Sequence, residues 1–151
     1  MRSRKVSTER LRGVVLFAEC DDRTLERVAR LGTEIRVPRS MPLAVEGMPG
    51  FEFFVIVEGT ANVSLGGIRL AALEPGDFFG EMALIDNAPR SATVIAETPM
   101  SLIVFDPREF ETLMRDVPEV ARAIMRGISG RLRSLQGPPR ILKRKVEAEA
   151  V

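Results

Sequence analysis

The N-terminal part of the chain carries apolar positions at helical spacing. The segment LRGVVLFAEC, residues 11–20, predicts a first helix. A second short helix is predicted to begin at Asp21 or Asp22, since either carboxylate can accept hydrogen bonds from first-turn N–H groups, and to end at Gly32. The apolar positions of these two segments are Leu11, Val14, Val15 and Phe17, then Leu25, Val28, Ala29 and Leu31.

From Thr33 onward the pattern changes to short runs rich in Val, Ile, Leu, Phe and Thr, separated by Pro or Gly. Seven or eight such runs, most beginning about 8–12 residues apart, are typical of strands in an antiparallel sandwich or barrel. In SLGGIRL, Gly66 and Gly67 can adopt the positive φ angles of a two-residue turn, so this segment predicts a hairpin. The runs are TEIRV, PLAVE, FEFFVIVE, TANVSL, IRLAALE, SATVIAE and MSLIVF.

Helical spacing returns after the last strand. Asp106 can cap a helix that has Pro107 at its first position and Glu109 as the capping-box partner. A second helix is predicted to begin near Val117–Pro118 and to end at Gly137, with one apolar stripe along its length. The stripe consists of Val117, Val120, Ile124, Ile128, Leu132 and Leu135.

These segments predict a mostly β fold with flanking helices, of α+β class. Its centre is a jelly-roll β-roll, or double-stranded β-helix, between N-terminal helices and a C-terminal helix pair. We predict one folded domain over residues 11–137. Residues 1–10 are predicted to be a basic N-terminal tail, and residues 138–151 a flexible C-terminal tail because they have little apolar patterning.

Composition narrows the possible chemistry. The 151 residues include no His and only one Cys, Cys20, whereas common zinc sites and most nucleophile–base pairs need His or several Cys. We therefore expect neither a metal site nor catalysis. A single thiol excludes an intrachain disulfide and fits a reducing cytoplasm. No apolar run approaches the ~20 residues that span a bilayer, so no transmembrane segment is expected.

The net charge of +1 is unevenly distributed. Residues 1–12 carry +4 and residues 138–151 carry +2, which leaves −5 on the body between them. A mildly acidic body is not typical of a nucleic-acid reader, so no nucleic acid is expected for the folded body. We interpret the basic ends as solvated tails. Contact of the basic tail with an anionic membrane or a nucleic acid is the alternative.

The segment GDFFGEMALIDNAPRSATV, residues 76–94, carries the candidate chemistry. GEMALI predicts one turn of helix beginning at Gly80, whose free N–H groups and dipole favour an anion. Arg90 adds a planar guanidinium suited to bidentate contact with a phosphate. Glu81 adds a carboxylate, which accepts hydrogen bonds and so suits a sugar hydroxyl. A phosphate and a sugar hydroxyl in one small pocket indicate a nucleotide.

Less specific interpretations of the same residues remain open. Arg90 could form a surface ion pair with Asp86 or Glu97, and Glu81 could simply interact with the dipole of the helix end. The neighbouring Phe78–Phe79 pair is interpreted as core rather than as ligand contacts.

The segment FGEMALIDNAPRSATV resembles the phosphate-binding cassette of the cyclic-nucleotide-binding domain family, with its catabolite-activator-like β-roll. VEGMPGFEFFVIVEGTANV is similar to the family's E-G-x-x-G turn and the strand after it, and LEPGDFFGE to the approach to the cassette. The similarity covers residues 11–135. One departure is Phe51, which stands where the family usually has an acidic residue, with Glu52 beyond it. We expect this departure to leave the cassette unaffected.

The resemblance implies a role for each matching position. Glu81 would bind the ribose 2′-hydroxyl, and Arg90 would pair with the cyclic phosphate. Backbone N–H groups, together with the Ser91 hydroxyl, would complete the contacts. The implied ligand-binding residues are Gly80, Glu81, Met82, Arg90, Ser91 and Ala92.

The resemblance also implies that the last helix folds over the base as a lid. By position, Arg131, Leu135 and Gln136 are the candidates for base contacts. Gly127 and Gly130 lie inside this helix, where they either permit close packing on the barrel or let the lid swing. The base preference is not fixed by Ser91, but the resemblance favours cAMP over cGMP as the ligand, with no further cofactor.

The function predicted from the sequence is a cyclic-nucleotide sensor without catalysis, in which ligand binding moves the C-terminal helices. A protein effector partner is expected, and a homodimer through the C-terminal helix is possible by analogy. The segment after Gly137 is too short for a DNA-binding module. The alternatives are a regulatory fragment of a cyclic-nucleotide-gated channel or a transcription regulator, or an interaction module that binds no nucleotide.

Overall fold

The computed structural model describes residues 2–136, which form two antiparallel sheets and a layer of helices. The strands are β1 (Arg2–Lys5), β2 (Thr33–Val37), β3 (Pro42–Ala44), β4 (Phe53–Glu58), β5 (Ala61–Leu65), β6 (Ile68–Leu73), β7 (Phe78–Phe79), β8 (Thr93–Ala96) and β9 (Met100–Phe105). The helices are α1 (Thr8–Arg12), α2 (Asp22–Leu31), α3 (Glu81–Asp86), α4 (Pro107–Asp116) and α5 (Pro118–Gln136), with a 3₁₀ turn over Val15–Phe17.

The two sheets confirm the predicted β-roll with flanking helices. One sheet has five strands in the order β1-β2-β9-β4-β7, and the other has four in the order β3-β8-β5-β6. The hairpin between β5 and β6 turns at Gly66 and Gly67, whose φ angles of +59° and +80° are the positive values that the turn requires.

The five-stranded sheet lies between the helices and the four-stranded sheet. Along β4, Phe53 and Val55 pack against the helices, whereas Phe54 and Ile56 pack against the other sheet. Because both faces of this strand are covered, its sequence is apolar without alternation. The ring of Phe53 meets that of Phe110 on α4 at a centroid distance of 4.9 Å, which fixes α4 on the sheet.

The N-terminal residues differ from the prediction of a solvated tail over residues 1–10. The backbone of β1 pairs with that of β2, and α1 follows at once. The physical reason is Glu34 on β2, which is 1% exposed. Its carboxylate accepts hydrogen bonds from Arg4 Nε at 2.9 Å and from Arg10 Nη2 at 3.0 Å. Basic side chains of the N-terminus thus neutralise a buried carboxylate of the sheet.

The predicted first helix over residues 11–20 is also wrong in its bounds. Helix α1 stops at Arg12, and the 3₁₀ turn carries the chain onward. Val14 and Phe17 are buried as the apolar pattern implied, whereas Val15 is 79% exposed. The spacing was therefore a packing signal for a tight turn rather than for a continuous helix.

The C-terminal helices begin as predicted. Asp106 accepts from the backbone N–H of Glu109, whose side chain accepts from the N–H of Asp106, which completes the capping box. The predicted apolar stripe is fully buried at Val117, which directly precedes α5, and at Val120 and Ile124, but Leu132 is 50% exposed. The predicted C-terminal tail, residues 138–151, lies outside the described residues.

Candidate functional site

The short helix α3 is positioned by unusual backbone at both ends. Gly80 precedes it with φ of +95°, and Asn87 ends it with φ of +54°. A Cβ atom on Gly80 would lie 2.5 Å from the carbonyl oxygen of Glu52 and 2.8 Å from Nη1 of Arg90. Glycine is therefore required here for both its backbone angle and the close approach of Arg90.

Arg90 lies beneath this helix with only 6% of its surface exposed. Its Nη1 donates to the carbonyl of Gly80 at 3.2 Å, and its Nη2 donates to the carbonyl of Glu52 at 3.0 Å. The Glu52 carboxylate lies 3.4 Å from the same Nη2. Burial lowers the pKa of the Arg90 guanidinium, and the charges of Glu52 and Glu81 oppose that shift.

The E-G-x-x-G turn holds the backbone of Arg90 from both sides. The N–H of Gly47 donates to the Arg90 carbonyl at 2.9 Å, and the N–H of Arg90 donates to the Met48 carbonyl at 2.9 Å. At Gly50, an added Cβ atom would lie 2.6 Å from Cδ of Arg90 and closer still to its Nε. The guanidinium thus packs directly against the backbone of Gly50.

Glu81 is the second buried charge of the site, with 4% of its surface exposed. Burial raises the pKa of its carboxyl above the ordinary value of 4.5, while the positive charges of Arg131 and Arg90 oppose the rise. The structure therefore brings Gly80, Glu81 and Arg90 together, as the sequence predicted. Glu81 and Arg90 can present an acceptor and a cation within one small region.

Arg131 reaches this region from α5. Its Nη1 donates to Oε1 of Glu81 at 3.0 Å, and its Nη2 donates to the carbonyl of Phe78. Its guanidinium carbon lies 4.4 Å from the centre of the Phe78 ring, which is the geometry of a cation–π contact. The last helix is therefore connected to α3 through one arginine.

The remaining predicted residues differ in how far the structure describes them. Met82 is 49% exposed, Ser91 is exposed and Ala92 is half-buried. The side chains of Leu135 and Gln136 lie outside the described residues.

Phe78 and Phe79 are each 5% exposed and belong to the core, as interpreted from the sequence. The rings of Phe79 and Phe54 stack at a centroid distance of 4.7 Å. Both rings are therefore part of the core, and Phe78 also contacts Arg131 of the site.

Glu52 and Gly50 are the residues of the site that sequence reasoning missed. The chain departs from the expected acidic residue at Phe51, which is 63% exposed, and we expected no effect on the cassette. That expectation was wrong, because Glu52 contacts Arg90 through both its carbonyl and its carboxylate. Among residues 2–136, Arg90 forms its ion pair with Glu52 and not with Asp86 or Glu97, and Glu97 bonds Arg69 at 2.8 Å. The E-G-x-x-G turn, which ends at Gly50, was the signal that could have identified Gly50, whereas Glu52 lies two residues beyond it.

A groove of about 880 Å³ runs along the other side of α3. Ile85 on α3 and Met114 on α4 form part of its walls, and neither Glu81 nor Arg90 lines it. The groove shares Gly47 and Gly50 with the surroundings of Arg90 but does not include the two charged side chains, and we assign the candidate chemistry to the buried charges.

Three further observations concern residues 2–136. No group of three or more His, Cys, Asp or Glu side chains there could hold a metal ion. No helix among those residues is long and apolar enough to cross a membrane. Burial raises the pKa of the half-buried Cys20 thiol to about 11, which keeps it in the unreactive protonated form at neutral pH.

A β-roll with a short helix, a buried arginine and a buried carboxylate at one point defines a ligand-binding regulatory domain. Residues 34–117 match the family model for the cyclic nucleotide-binding domain. The chain belongs to this family, as its resemblance to the phosphate-binding cassette implied.

Known relatives agree with this assignment. The cyclic nucleotide-gated potassium channel mll3241 of Mesorhizobium japonicum is 39% identical over 108 residues, which cover 72% of this chain and 30% of the channel. The regulatory domain of Toxoplasma gondii PKA, solved with cAMP, is 31% identical with a TM-score of 0.61, covering 72% of this chain and 43% of that one. The catabolite activator protein of Thermus thermophilus is 25% identical with a TM-score of 0.72, and the match covers 88% of this chain and 62% of that one. The chain thus spans less than a third of the channel's length.

Proposed function

We propose that this domain binds cAMP in preference to cGMP at α3 and Arg90, and that binding is passed to α5 without any catalysis. The observation that carries the proposal is the burial of Glu81 and Arg90 at the start of the same short helix, at 4% and 6% exposure, in a chain of this family. Burying two charges is costly unless each has a partner. The partners here, Arg131 for Glu81 and Glu52 for Arg90, are themselves partly exposed, so a ligand can take their place.

The proposed contacts follow from the chemistry of the cassette. The Arg90 guanidinium would pair with the cyclic phosphate, and the Glu81 carboxylate would accept from the ribose 2′-hydroxyl. N–H groups of Gly80 and Met82 would add donors around the ribose and phosphate. Ser91 and Ala92, which follow Arg90 directly, would add donors to the phosphate. The related regulatory domain of Toxoplasma gondii PKA was crystallised with cAMP, which supports the choice of ligand.

The proposed coupling runs through Arg131. Its hydrogen bond to Glu81 means that a ligand hydroxyl at Glu81 would share or replace that acceptor. Either change alters the free energy of α5 docked on the barrel, so binding shifts the population of α5 positions. Once Arg131 leaves Glu81 or changes its orientation, Leu135 and Gln136 are the further residues that we propose contact the base.

The relatives suggest how the domain is used. The Mesorhizobium japonicum relative is a gated channel much longer than this chain. This match supports the proposal that the domain is a regulatory unit of a larger assembly. A protein effector and pairing of α5 with a second copy remain proposals too. A reducing cytoplasm is the compartment we propose, on the basis of the single cysteine.

Isothermal titration of cAMP and of cGMP, each into nucleotide-free protein, tests the proposal. We expect saturable binding that is tighter for cAMP. Arg90→Ala should weaken it by roughly 100-fold, since a hydrogen bond to a charged group contributes about 1.5–3 kcal/mol. Arg115→Ala is the matched control, because this arginine is 65% exposed and bonds only its neighbour Asp116 among the described residues; its affinity should equal that of the wild type.

The outcomes separate the hypotheses. Binding that survives Arg90→Ala unchanged would remove Arg90 from the site. No binding of either nucleotide to folded protein would favour the alternative of an interaction module. The coupling is tested by Arg131→Ala, which should change the exchange of α5 amide hydrogens on cAMP addition relative to wild type. An identical exchange response in both proteins would reject the role of Arg131.

A further inference from the structure

Glu52 has no role in the predicted cassette, yet it is placed against the cation of the site. Its backbone carbonyl accepts from Arg90 Nη2 at 3.0 Å, and its carboxylate oxygen Oε2 lies 3.4 Å from the same nitrogen. The Arg90 side chain is 5% exposed, whereas that of Glu52 is 52% exposed. The guanidinium of this ion pair is therefore buried, and the carboxylate reaches it from the surface.

The position of Arg90 does not depend on the Glu52 carboxylate. Two backbone carbonyls, of Gly80 and Glu52, accept from the guanidinium at 3.2 and 3.0 Å. The close approach of Gly50 confines the other side of the guanidinium. The carboxylate makes the longest of the Arg90 hydrogen bonds. What it supplies is negative charge, which opposes the lowering of the Arg90 pKa by burial.

An arginine has five N–H donors and no acceptor. Three hydrogen bonds already involve Nη1 and Nη2 of Arg90, and the carboxylate is the only one of their acceptors that carries a charge. A phosphate approaching the same guanidinium would meet a like charge. It would have to share Nη2 with the carboxylate or replace it. Because the side chain of Glu52 is half-exposed, it can turn into solvent without moving the backbone carbonyl that holds Arg90.

We propose that Glu52 is an internal competitor for the anion at Arg90, and that its carboxylate sets the affinity of the site by leaving the guanidinium when phosphate arrives. The inference rests on the proposed function and adds a residue that determines affinity but does not hold ligand. It predicts a sign. Removing the charge should strengthen anion binding, whereas a residue that positions Arg90 would weaken binding when removed.

The test compares Glu52→Gln, Glu52→Asp and wild type by isothermal titration of cAMP at low salt. Glu52→Gln should bind roughly three- to tenfold tighter, the scale expected for one unit charge beside a partly solvated partner. Glu52→Asp keeps the negative charge at this position, so its affinity should stay near that of the wild type. Glu26→Gln is the matched control, because Glu26 is an exposed acidic residue on α2, which contributes no residue to the site, and its substitution removes the same formal charge; its affinity should not change. The gain in Glu52→Gln should shrink as salt is added.

The result that overturns the proposal is an equal or weaker affinity of Glu52→Gln, or an equal gain in Glu26→Gln. A second probe separates this proposal from the proposed function. If the wild type binds no cAMP, inorganic phosphate is titrated while the Arg90 Nε–H resonance is followed by NMR in wild type and Glu52→Gln. Tighter phosphate binding in the variant would support the competitor role alone. No response in either protein, or equal responses, would refute it.

Discussion

The packing of α5 on the barrel can be tested with two glycines of the same helix. A Cβ atom on Gly127 would lie 2.6 Å from Cζ and 2.7 Å from Cε1 of Phe78, whereas one on Gly130 would have nothing within 4 Å. Alanine at both positions gains the same helix propensity. The pair Gly127→Ala and Gly130→Ala therefore isolates the contact between α5 and Phe78.

The magnitudes differ enough to be measured. In a helix interior, alanine is more favourable than glycine by about 1 kcal/mol, so Gly130→Ala should stabilise the fold by up to that amount. Gly127→Ala has the same gain but adds an overpacking cost of about 1–3 kcal/mol. The Phe78 ring cannot retreat freely, because it is 5% exposed and packs 5.7 Å from Phe53. The two variants should thus differ by about 2 kcal/mol in the free energy of unfolding.

Thermal and urea denaturation of both variants and the wild type provide the measurement. For a domain of this size, a difference of ~2 kcal/mol corresponds to roughly 4–8 °C in melting temperature. We expect the order Gly130→Ala, wild type, Gly127→Ala from most to least stable. Equal stabilisation by both substitutions would show that the close approach of Gly127 to Phe78 does not hold, and the reasoning would be refuted.

Two further pairs test the site and the N-terminal region. Gly50→Ala should weaken cAMP binding by at least about tenfold by displacing Arg90, since the added methyl group overlaps the guanidinium. Gly13→Ala is the control, because a Cβ atom there has nothing within 4 Å, and it should bind like wild type in the same titration. Equal affinities of the two variants would contradict the placement of Gly50. Glu34→Ala should lower the free energy of unfolding by about 1.5–3 kcal/mol, because it removes the charge-assisted hydrogen bonds that hold Arg4 and Arg10 on the sheet. Glu97→Ala, which removes a surface pair, should cost at most about 1 kcal/mol in urea denaturation, and similar losses in both would contradict the buried network.

The sequence predicted those features whose determinants are local. The turn at Gly66 and Gly67 and the capping box of Asp106 and Glu109 each depend on residues within a few positions of one another. Gly80 belongs to the same class, since its left-handed backbone angle is needed where the chain enters α3. Such signals appear in the order of the residues, because the interacting groups are brought together by the chain itself.

The features that were missed join residues far apart in the sequence. Arg4 bonds Glu34 across 30 positions, and Arg90 bonds Glu52 across 38. Nothing in a basic N-terminal segment indicates that one buried carboxylate will order it as a strand. Likewise, Arg90 was recognisable from its motif, but its acceptor Glu52 was not, because the two residues are brought together only by the folded structure.

The carboxyl of Glu81 provides a test of burial through pH. Its pKa is raised above 4.5 mainly by burial, so the folded state binds this proton more readily than the unfolded state does. Stability contributed by that difference is present at acid pH and is lost as pH rises through the raised pKa. Glu81→Gln cannot lose a proton and should escape the loss. The free energy of unfolding of the variant relative to wild type should therefore increase between pH 4 and pH 7 in urea titrations. If the difference is the same at both pH values, the positive charges of Arg131 and Arg90 fully offset burial, and Glu81 is ionised at no cost to the fold.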